Sequence, residues 1–281
     1  FGLGGVFGEA LVDTAVIVLS RIPPNSDECV FFNLVKFERG NAKTKREALK
    51  EAVEAIRNGV ECPYIHLLNQ SEFKKIPGYP FVYWISDRIR ELFSQHKPLE
   101  KYAKVAHGLS TGNNDQFLRF WWEVRQEDIS VDYKIDRKKW VPYAKGGPYN
   151  KWYGNLWWVV SWEDGNEMRK LSGSRLDNIP YYFREGLTYG FISSLGFTVR
   201  YLPYNCIFDV MGSSAFMRES NGLTPTIAVL SSSTTSYLID VLNPTAAYQV
   251  GDLKNIPTAH PSALGSKSIS SEEIRDLLGG L

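Results

Sequence analysis

The sequence predicts an α+β fold, in which a β-rich unit with mixed or antiparallel strands and flanking helices follows a strand hairpin and one helix. Three features of the 281-residue chain lead to this prediction: two β-branched and aromatic runs near its start, segments with helical periodicity, and short β-like runs between Gly-rich turns over residues 100–210. Hydrophobic residues make up 43% and charged residues 22% of the chain, an ordinary globular composition that excludes a disordered or collagen-like protein.

The two opening runs, residues 14–20 and 29–37, are predicted to form the hairpin. The link between them contains Pro23, Pro24 and Asn25, which favour a turn or loop. Because the first run is nearly all apolar, we expect a strand that is buried on both faces, at the edge of a larger sheet.

Helical patterns recur at both ends of the chain. Residues 44–58 are predicted to form a helix, because apolar side chains fall on one face and Thr44 with Glu47 makes a capping box. The same reasoning predicts the remaining helices, over residues 84–95, over residues 226–241 and from Ser270 onward.

Runs rich in β-branched and aromatic residues predict the strands of the larger unit. These runs are residues 63–68, 117–124, 155–162, 187–192, 197–202 and 205–210. The change in pattern predicts a domain boundary near residue 60. It separates residues 1–60, with the hairpin and the first helix, from the β-rich residues 61–281.

Charge and cysteine usage exclude several classes of protein. With 32 Lys and Arg against 31 Asp and Glu the net charge is +1, so binding of nucleic acid would need a local basic patch. The three cysteines form no Cys-x-x-Cys pair and the four histidines have no metalloprotease spacing, which argues against a disulfide framework and a zinc site. No window approaches ~18 consecutive apolar residues, so we expect no membrane partner. The sparse cysteines favour a cytoplasmic location.

The ends of the chain favour a piece of a longer protein. The chain begins at Phe1 without a methionine and stops at Leu281, just after two glycines. Its first ten residues lack the layout of a signal peptide. The alternative is an intact mature chain.

Catalytic motifs are missing from the sequence. The Gly-rich residues 1–5 resemble a cofactor loop, but no strand precedes them, so a turn is the better interpretation. Asn243-Pro244-Thr245 resembles the Asn-Pro-Pro-aromatic loop of amino-group methyltransferases, yet it lacks the second proline and the aromatic residue. Neither a Gly-x-Ser-x-Gly motif nor a neighbouring Cys and His suggests a nucleophile. We therefore assign no catalytic, metal-binding or cofactor-binding residue to this chain.

The strongest local signal is the basic and aromatic segment over residues 133–151. Asp136 is its only acidic residue, whereas six residues are cations: Lys134, Arg137, Lys138, Lys139, Lys145 and Lys151. Aromatic residues alternate with them, and Gly146-Gly147 would let the backbone approach a polyanion closely. Such a loop suits phosphate contacts combined with stacking. A solvated charged face beside buried aromatic residues explains the composition equally well.

A second segment, residues 107–124, combines glycines with small hydrogen-bonding side chains. Ser110, Thr111, Asn113 and Asn114 could reach base edges or phosphates from a tight loop. They are also the residues of ordinary turns, and from the residues alone the turn is the better interpretation.

Four longer stretches occur in one order: GLSTGNNDQFLRFWWEV, WVPYAKGGPYNKWYGNLWWVVSWEDG, LTYGFISSLGFTVRYLP and LNPTAAYQVGDLKNIP, with FKKIPGYPFVYWIS upstream of them. Together they resemble the C-terminal part of the large adenine-specific DNA methyltransferases of the BREX (PglX) phage-defence type. Those enzymes are grouped with type IIG restriction–modification enzymes and share a Taq-like C-terminal specificity domain. The resemblance covers most of residues 61–258.

The resemblance implies a division of labour within a longer bacterial protein. The catalytic domain, which binds S-adenosylmethionine and carries the Asn-Pro-Pro-Tyr loop, would lie N-terminal to this chain. Residues 1–60 would be the C-terminal edge of that domain, and residues 61–281 the domain that recognises the DNA target. The implied partner is double-stranded DNA. S-adenosylmethionine would be a cofactor of the parent protein and not of this fragment.

The resemblance also implies roles for the polar residues of the two segments. Arg137, Lys138, Lys139, Lys145 and Lys151 would contact phosphates. Thr111, Asn113, Asn114 and Arg119 would lie near the DNA cleft. The candidate readers of bases are Arg175, Asn155 and Asn178.

A second function, from a different class, stays open. In a defence system the chain could be a protein-interaction domain that docks other defence proteins. Its eight Trp and fifteen Tyr residues suit an interface as well as they suit DNA.

Overall fold

The computed structural model describes residues 15–19, 21, 28–37, 42–219, 222–245 and 247–260. Contacts divide the chain into two compact units, Phe1–Glu91 and Leu92–Leu281. This division falls after the boundary predicted near residue 60, because the strand that follows residue 60 pairs with a strand that precedes the first helix. The combination of helices with antiparallel and mixed sheets confirms the predicted α+β class.

The first unit is built on a two-stranded antiparallel sheet. Its elements are β1 (Glu28–Phe32), α1 (Ala42–Asn58), β2 (Ile65–Asn69) and the 3-10 helix Gln70–Lys75, and α2 (Asp87–Gln95) begins in this unit. β1 pairs with β2 from Glu28↔Asn69 to Phe32↔Ile65. The ring of Phe31 packs on those of Phe73 and Tyr83, at centroid distances of 5.6 and 4.6 Å. These aromatic contacts join the sheet to the chain that follows it.

The apolar run at residues 14–20 does not have the environment that its sequence predicts. None of the described residues 16–19 lies in a strand, and Val18 and Leu19 are 81% and 86% exposed. The expectation of a strand buried on both faces is therefore wrong for these residues. The antiparallel partner of β1 along its whole length is β2, because an apolar run signals a preference for burial without specifying its partner. α1 begins at Ala42, so Thr44 lies inside the helix and not at its cap.

Two four-stranded sheets form the centre of the second unit. The strands of this unit are β3 (Lys97–Pro98), β4 (Ala103–Ala106), β5 (Leu109–Ser110), β6 (Leu118–Phe120), β7 (Trp140–Ala144), β8 (Trp158–Ser161), β9 (Arg175–Leu176), β10 (Gly186–Tyr189), β11 (Val199–Leu202), β12 (Ile207–Phe208), β13 (Ser214–Met217) and β14 (Pro257–Thr258). One sheet has the order β11-β10-β13-β4 and is antiparallel; the other has the order β12-β7-β8-β6 and includes the parallel pair β12–β7. The short strands pair as β3–β14 and β5–β9. Each of the six β runs predicted for the larger unit overlaps one of these strands or β2.

Short helices flank the sheets. They are α3 (Asn114–Phe117), α4 (Tyr133–Asp136), α5 (Leu223–Leu230), α6 (Ser233–Leu242) and α7 (Val250–Lys254). The single helix predicted over residues 226–241 is two helices, because the Ser232 hydroxyl accepts the N–H of Thr235 at 3.2 Å and begins a new one. The helix predicted from Ser270 lies outside the described residues. Within the part of the chain that the structure describes, no helix is long and apolar enough to cross a membrane.

Aromatic side chains fill the core of the second unit. Phe208 on β12 is fully buried, and its ring lies 5.1 Å from that of Phe216 on β13 and 5.5 Å from that of Tyr182. Gly108, just before β5, lies directly against the backbone of Phe208. This contact fixes β5 beside β12, which positions the polar residues that follow both strands.

Gly108→Ala should destabilise the protein by about 3 kcal/mol, because the added Cβ would lie 1.8 Å from the backbone oxygen of Phe208. Urea denaturation measures this change in the free energy of unfolding. The control is Gly251→Ala in α7, where a Cβ meets nothing within 4 Å; better helix propensity should leave that variant equal or more stable by up to about 1 kcal/mol. Equal stabilities of the two variants would contradict the close packing of β5 on β12.

Candidate functional site

An open pocket of about 400 Å³ lies in the second unit, where chain segments distant in sequence meet. Its lining residues are Ser110, Thr111, Gly112, Asn114, Lys145, Gly173, Asp209, Val210 and Met211. β5 supplies the first of these residues and pairs with β9 through Ser110↔Arg175. Lys145 follows directly after β7, and Asp209 directly after β12, which is parallel to β7. The side chains at the ends of these two parallel strands therefore meet at one edge of the sheet.

A buried carboxylate organises the floor of this pocket. The side chain of Asp209 is 3% exposed. Its Oδ2 accepts the hydroxyl proton of Tyr143, and its Oδ1 accepts the backbone N–H of Met211 at 2.6 Å. Burial, and secondarily the charge of Asp209, raises the pKa of Tyr143 well above its usual value, so the phenol stays protonated and remains a donor.

Lys145 is held over this carboxylate at the pocket surface. Its Nζ lies 3.4 Å from Asp209 Oδ2, 3.4 Å from Asn114 Oδ1 and 5.9 Å from the centroid of the Tyr143 ring. The side chain of Lys145 is 24% exposed. An ammonium group has three donors. The two long contacts to oxygen therefore leave donor capacity for a ligand in the pocket.

The loop before α3 supplies neutral hydrogen-bonding groups. Thr111 is buried, and its hydroxyl donates to Asn114 Oδ1 at 2.7 Å. Asn113 caps α3, because its Oδ1 accepts the N–H of Gln116 at 3.2 Å. Gly112 has a φ of 75°, and a Cβ there would lie 2.8 Å from the Ser174 nitrogen, so only glycine fits this turn. Asn113 thus has a local structural role, whereas Thr111 and Asn114 face the pocket.

The predicted basic segment is not a single loop. β7 runs through its middle, and a five-residue strand spans roughly 17 Å. Arg137, Lys138 and Lys139 precede β7, whereas Lys145 and Lys151 follow it. The prediction of a single basic loop is therefore wrong, because these cations fall at opposite ends of a strand. Their contact with DNA stays a prediction.

The cations before β7 have partners within the protein. Arg137 is paired with Asp164 at 3.1 Å, with both side chains about 60% exposed. Lys138 Nζ donates to the carbonyl of Ile129 at 3.2 Å, and the Lys139 ammonium lies 5.4 Å from the Trp140 ring centroid. An exposed ion pair such as Arg137–Asp164 is weak, so this arginine is exchangeable with a ligand.

Beyond β7, Asn155 is a structural residue of the glycine loop. It is buried with a φ of 61°; its Nδ2 donates to the carbonyl of Pro148 at 2.8 Å, and its Oδ1 accepts from Asn150 Nδ2 at 2.7 Å. These bonds brace the loop that contains Gly147. Lys151 is exposed and has no ion-pair partner among the described residues.

The three remaining candidates lie near the α3 loop and β9. Arg175 is 62% exposed and its Nε lies 4.0 Å from Asp177 Oδ2. Asn178 donates to the carbonyl of His107 at 2.9 Å, and Arg119 donates to the carbonyl of Asp115 at 2.7 Å and to that of Leu118. The structure therefore brings together Thr111, Asn114 and Lys145, with Arg175 on the adjoining strand pair. Asn178 and Arg119 are committed to backbone carbonyls.

Asp209 is the pocket residue that the sequence analysis missed. A carboxylate that directly follows the apolar pair Ile207-Phe208 and precedes a glycine-containing turn is the signal that could have identified it. In the described ranges, no group of three His, Cys, Asp or Glu side chains could hold a metal ion.

Asp209→Asn should lower the free energy of unfolding by about 2 kcal/mol, because the amide replaces an anion that accepts from Tyr143, Met211 and Lys145. Urea denaturation at pH 7 measures this loss. The matched control is Asp177→Asn, whose side chain is 44% exposed and whose expected change is within about 0.5 kcal/mol. Equal changes in the two variants would show that Asp209 does not organise the pocket.

No protein-family model matches the chain. Curated relatives do match it. The chain is 34% identical over 266 residues to the adenine-specific methyltransferase PglX of Lacticaseibacillus casei (strain Zhang), an alignment that covers 90% of this chain and 22% of that protein. It is 32% identical over 273 residues to the adenine-specific methyltransferase BrxX of Escherichia coli O9:H4 (strain HS), covering 95% of this chain and 21% of that protein. The chain thus spans about a fifth of the length of these relatives, and over nine-tenths of its own length it is homologous to adenine-specific methyltransferases of the PglX/BrxX type.

Proposed function

We propose that this chain is the DNA target-recognition part of a site-specific, S-adenosylmethionine-dependent adenine-N6 DNA methyltransferase. The observation that carries the proposal is the pocket in which Lys145 converges with Ser110, Thr111 and Asn114, in a chain homologous to PglX and BrxX. The parent protein would act in BREX phage defence or in restriction–modification, in the bacterial cytoplasm. Residues 61–281 would correspond to a Taq-like specificity domain, and residues 1–60 to the edge of the catalytic domain.

The pocket has the chemistry of a contact to a DNA phosphate. A phosphate accepts strong hydrogen bonds from an ammonium group and from hydroxyl and amide donors. Asp209 lies beneath Lys145 with its two oxygens engaged by Tyr143 and Met211, so its charge orients the ammonium group at the surface. Arg175, on the strand next to Ser110, would extend this contact along the duplex.

Target recognition matters energetically for this reaction. An enzyme that methylates the amino group of adenine takes the base out of the helical stack, which costs a few kcal/mol. Contacts to the surrounding duplex offset that cost and select the site. In this proposal the present chain supplies such contacts, whereas methyl transfer and S-adenosylmethionine binding belong to the missing part of the parent.

An exposed aromatic cluster supports the second candidate function, docking of other defence proteins. Trp121 and Trp122 are 52% and 56% exposed. The ring of Trp122 stacks on Phe120 at 4.6 Å, and Phe120 stacks on Trp158 at 4.1 Å. Exposed aromatic clusters are typical of protein interfaces.

Electrophoretic mobility shifts with duplex DNA at 50 and 200 mM salt separate the two functions. A target-recognition domain should bind, and its affinity should fall steeply with salt, because cations released from the phosphates drive binding. Absence of binding at 50 mM salt, by this chain and by its parent protein alike, would overturn the proposed function and favour docking.

Lys145→Ala should weaken binding to duplexes of every sequence and reduce the slope of log K against log salt by about one unit. The control is Lys170→Ala, which removes an exposed lysine paired with Glu167 outside the pocket and should keep the wild-type slope. Circular dichroism verifies that both variants are folded. A wild-type slope for Lys145→Ala would remove Lys145 from the phosphate contacts.

A further inference from the structure

Arg200, on β11, is a buried cation for which the structure shows no partner. The residue is 1% exposed, and its Nε and Nη2 atoms have no hydrogen-bond acceptor. It takes part in no ion pair among the described residues. Burial lowers the pKa of its guanidinium to about 10, so the group is still charged at pH 7.

Arg200 lines a narrow cleft beside the glycine loop. Gly147, Pro148, Ser193 and Thr198 line the same cleft. None of the lining residues is acidic. The volume of the cleft is about 10 Å³, which is room for a single water-sized group.

The hydroxyl groups of Thr198 and Ser193 belong to residues that line the same cleft, and they differ in the hydrogen bonds they already make. The Thr198 hydroxyl donates to the carbonyl of Asn150 at 3.0 Å, so its proton is committed. The Ser193 hydroxyl accepts the N–H of Leu195 at 3.2 Å, which leaves its own proton available. The cleft therefore offers unpartnered donors, Arg200 Nε and Nη2 among them, and has no carboxylate among its lining residues.

An isolated charge in a protein interior is strongly unfavourable unless an opposite charge or several acceptors compensate it. A water molecule could accept one or two of the free N–H groups but would leave the charge uncompensated. An anionic oxygen supplies both the acceptor and the charge. Guanidinium groups prefer carboxylate and phosphate oxygens for this reason.

We propose that Arg200 and the cleft beside Gly147 bind a phosphate group through one of its oxygen atoms. The size of the cleft admits that single oxygen, while the rest of the phosphate stays at the mouth between Gly147 and Ser193. The phosphate belongs either to the DNA backbone, in which case the inference rests on the proposed function, or to a free phosphate compound. Trp152, which follows the exposed Lys151 in the chain, forms a β-bridge with Arg200.

Thermal unfolding in inorganic phosphate, with sodium chloride added to keep the ionic strength constant, tests the site. Phosphate should raise the Tm of the wild-type chain. In Arg200→Met the apparent dissociation constant of phosphate should be at least tenfold weaker, and the Tm without phosphate should equal or exceed that of the wild type, because an unpaired buried charge has been removed. The matched control is Arg125→Met, which removes an exposed arginine paired with Glu127 and Asp128 and should keep the wild-type phosphate response.

Two results would contradict the proposed phosphate site at Arg200. One is a wild-type Tm that does not respond to phosphate; the other is a response that Arg200→Met retains. If Arg200→Met fails to fold, Arg200→Lys replaces it, since lysine keeps the charge and loses the two-pronged donor geometry. Phosphate binding by Arg200→Lys with wild-type affinity would then contradict the proposal.

Duplex DNA binding by the same variants identifies the source of the phosphate. Arg200→Met should bind duplex about tenfold more weakly than Arg125→Met, with a salt slope lower by about one unit. If Arg200→Met loses phosphate binding but binds DNA as the wild type does, the phosphate does not belong to the DNA backbone. That result would support a free phosphate compound as the ligand. A third outcome separates the two proposals. If phosphate raises the Tm only when Arg200 is present, but neither the wild-type chain nor its parent protein binds duplex DNA, the phosphate site is supported and the proposed function is overturned.

Discussion

The buried carboxylate of Asp209 is the constraint on which the candidate site depends. A carboxylate with a side chain 3% exposed is stable only if its oxygens are engaged, and here the engaging groups come from different parts of the chain. Tyr143 approaches from β7, Met211 from the turn after β12, and Lys145 from the residue after β7. The hydrogen bonds and the ion pair that compensate the Asp209 carboxylate thus fix the ends of β7 and β12 relative to each other. They also orient the side chain of Lys145.

Close backbone contacts reinforce this arrangement. A Cβ on Gly146 would lie 2.5 Å from the carbonyl oxygen of Met211, and one on Gly212 would lie 2.3 Å from that of Ala144. The chain after β7 and the chain after β12 therefore pack backbone against backbone. Only glycine permits this approach, which explains the glycines at positions 146 and 212.

The loop that follows β7 borders two cationic sites of different character. On one side Lys145 is a partly exposed cation with a buried counter-ion beneath it, in a pocket of about 400 Å³. On the other side Arg200 is a buried cation with no counter-ion among the described residues, in a cleft of about 10 Å³ that Gly147 and Pro148 help to line. Lys145, an oriented cation at the surface, can release one phosphate and bind another. Arg200, a buried and uncompensated cation, favours a single anionic oxygen. Both sites lie in a chain that is homologous to the adenine-specific methyltransferases PglX and BrxX.

The sequence by itself determined the α+β class, the positions of α1, α2 and several strands, the homology to PglX and BrxX, and the polar loop before α3. Periodicity, turn residues and motif order are local properties. Tertiary structure alone decided that β1 pairs with β2, that β7 separates the cations of the basic segment, and that Asp209 lies under Lys145. It also decided that Arg200, one cation among 32 in the sequence, is buried, with no acceptor for its Nε and Nη2 in the part of the chain that the structure describes. Composition records which charges a chain has, but the free energy of each charge depends on burial and on neighbours that only the folded chain brings together.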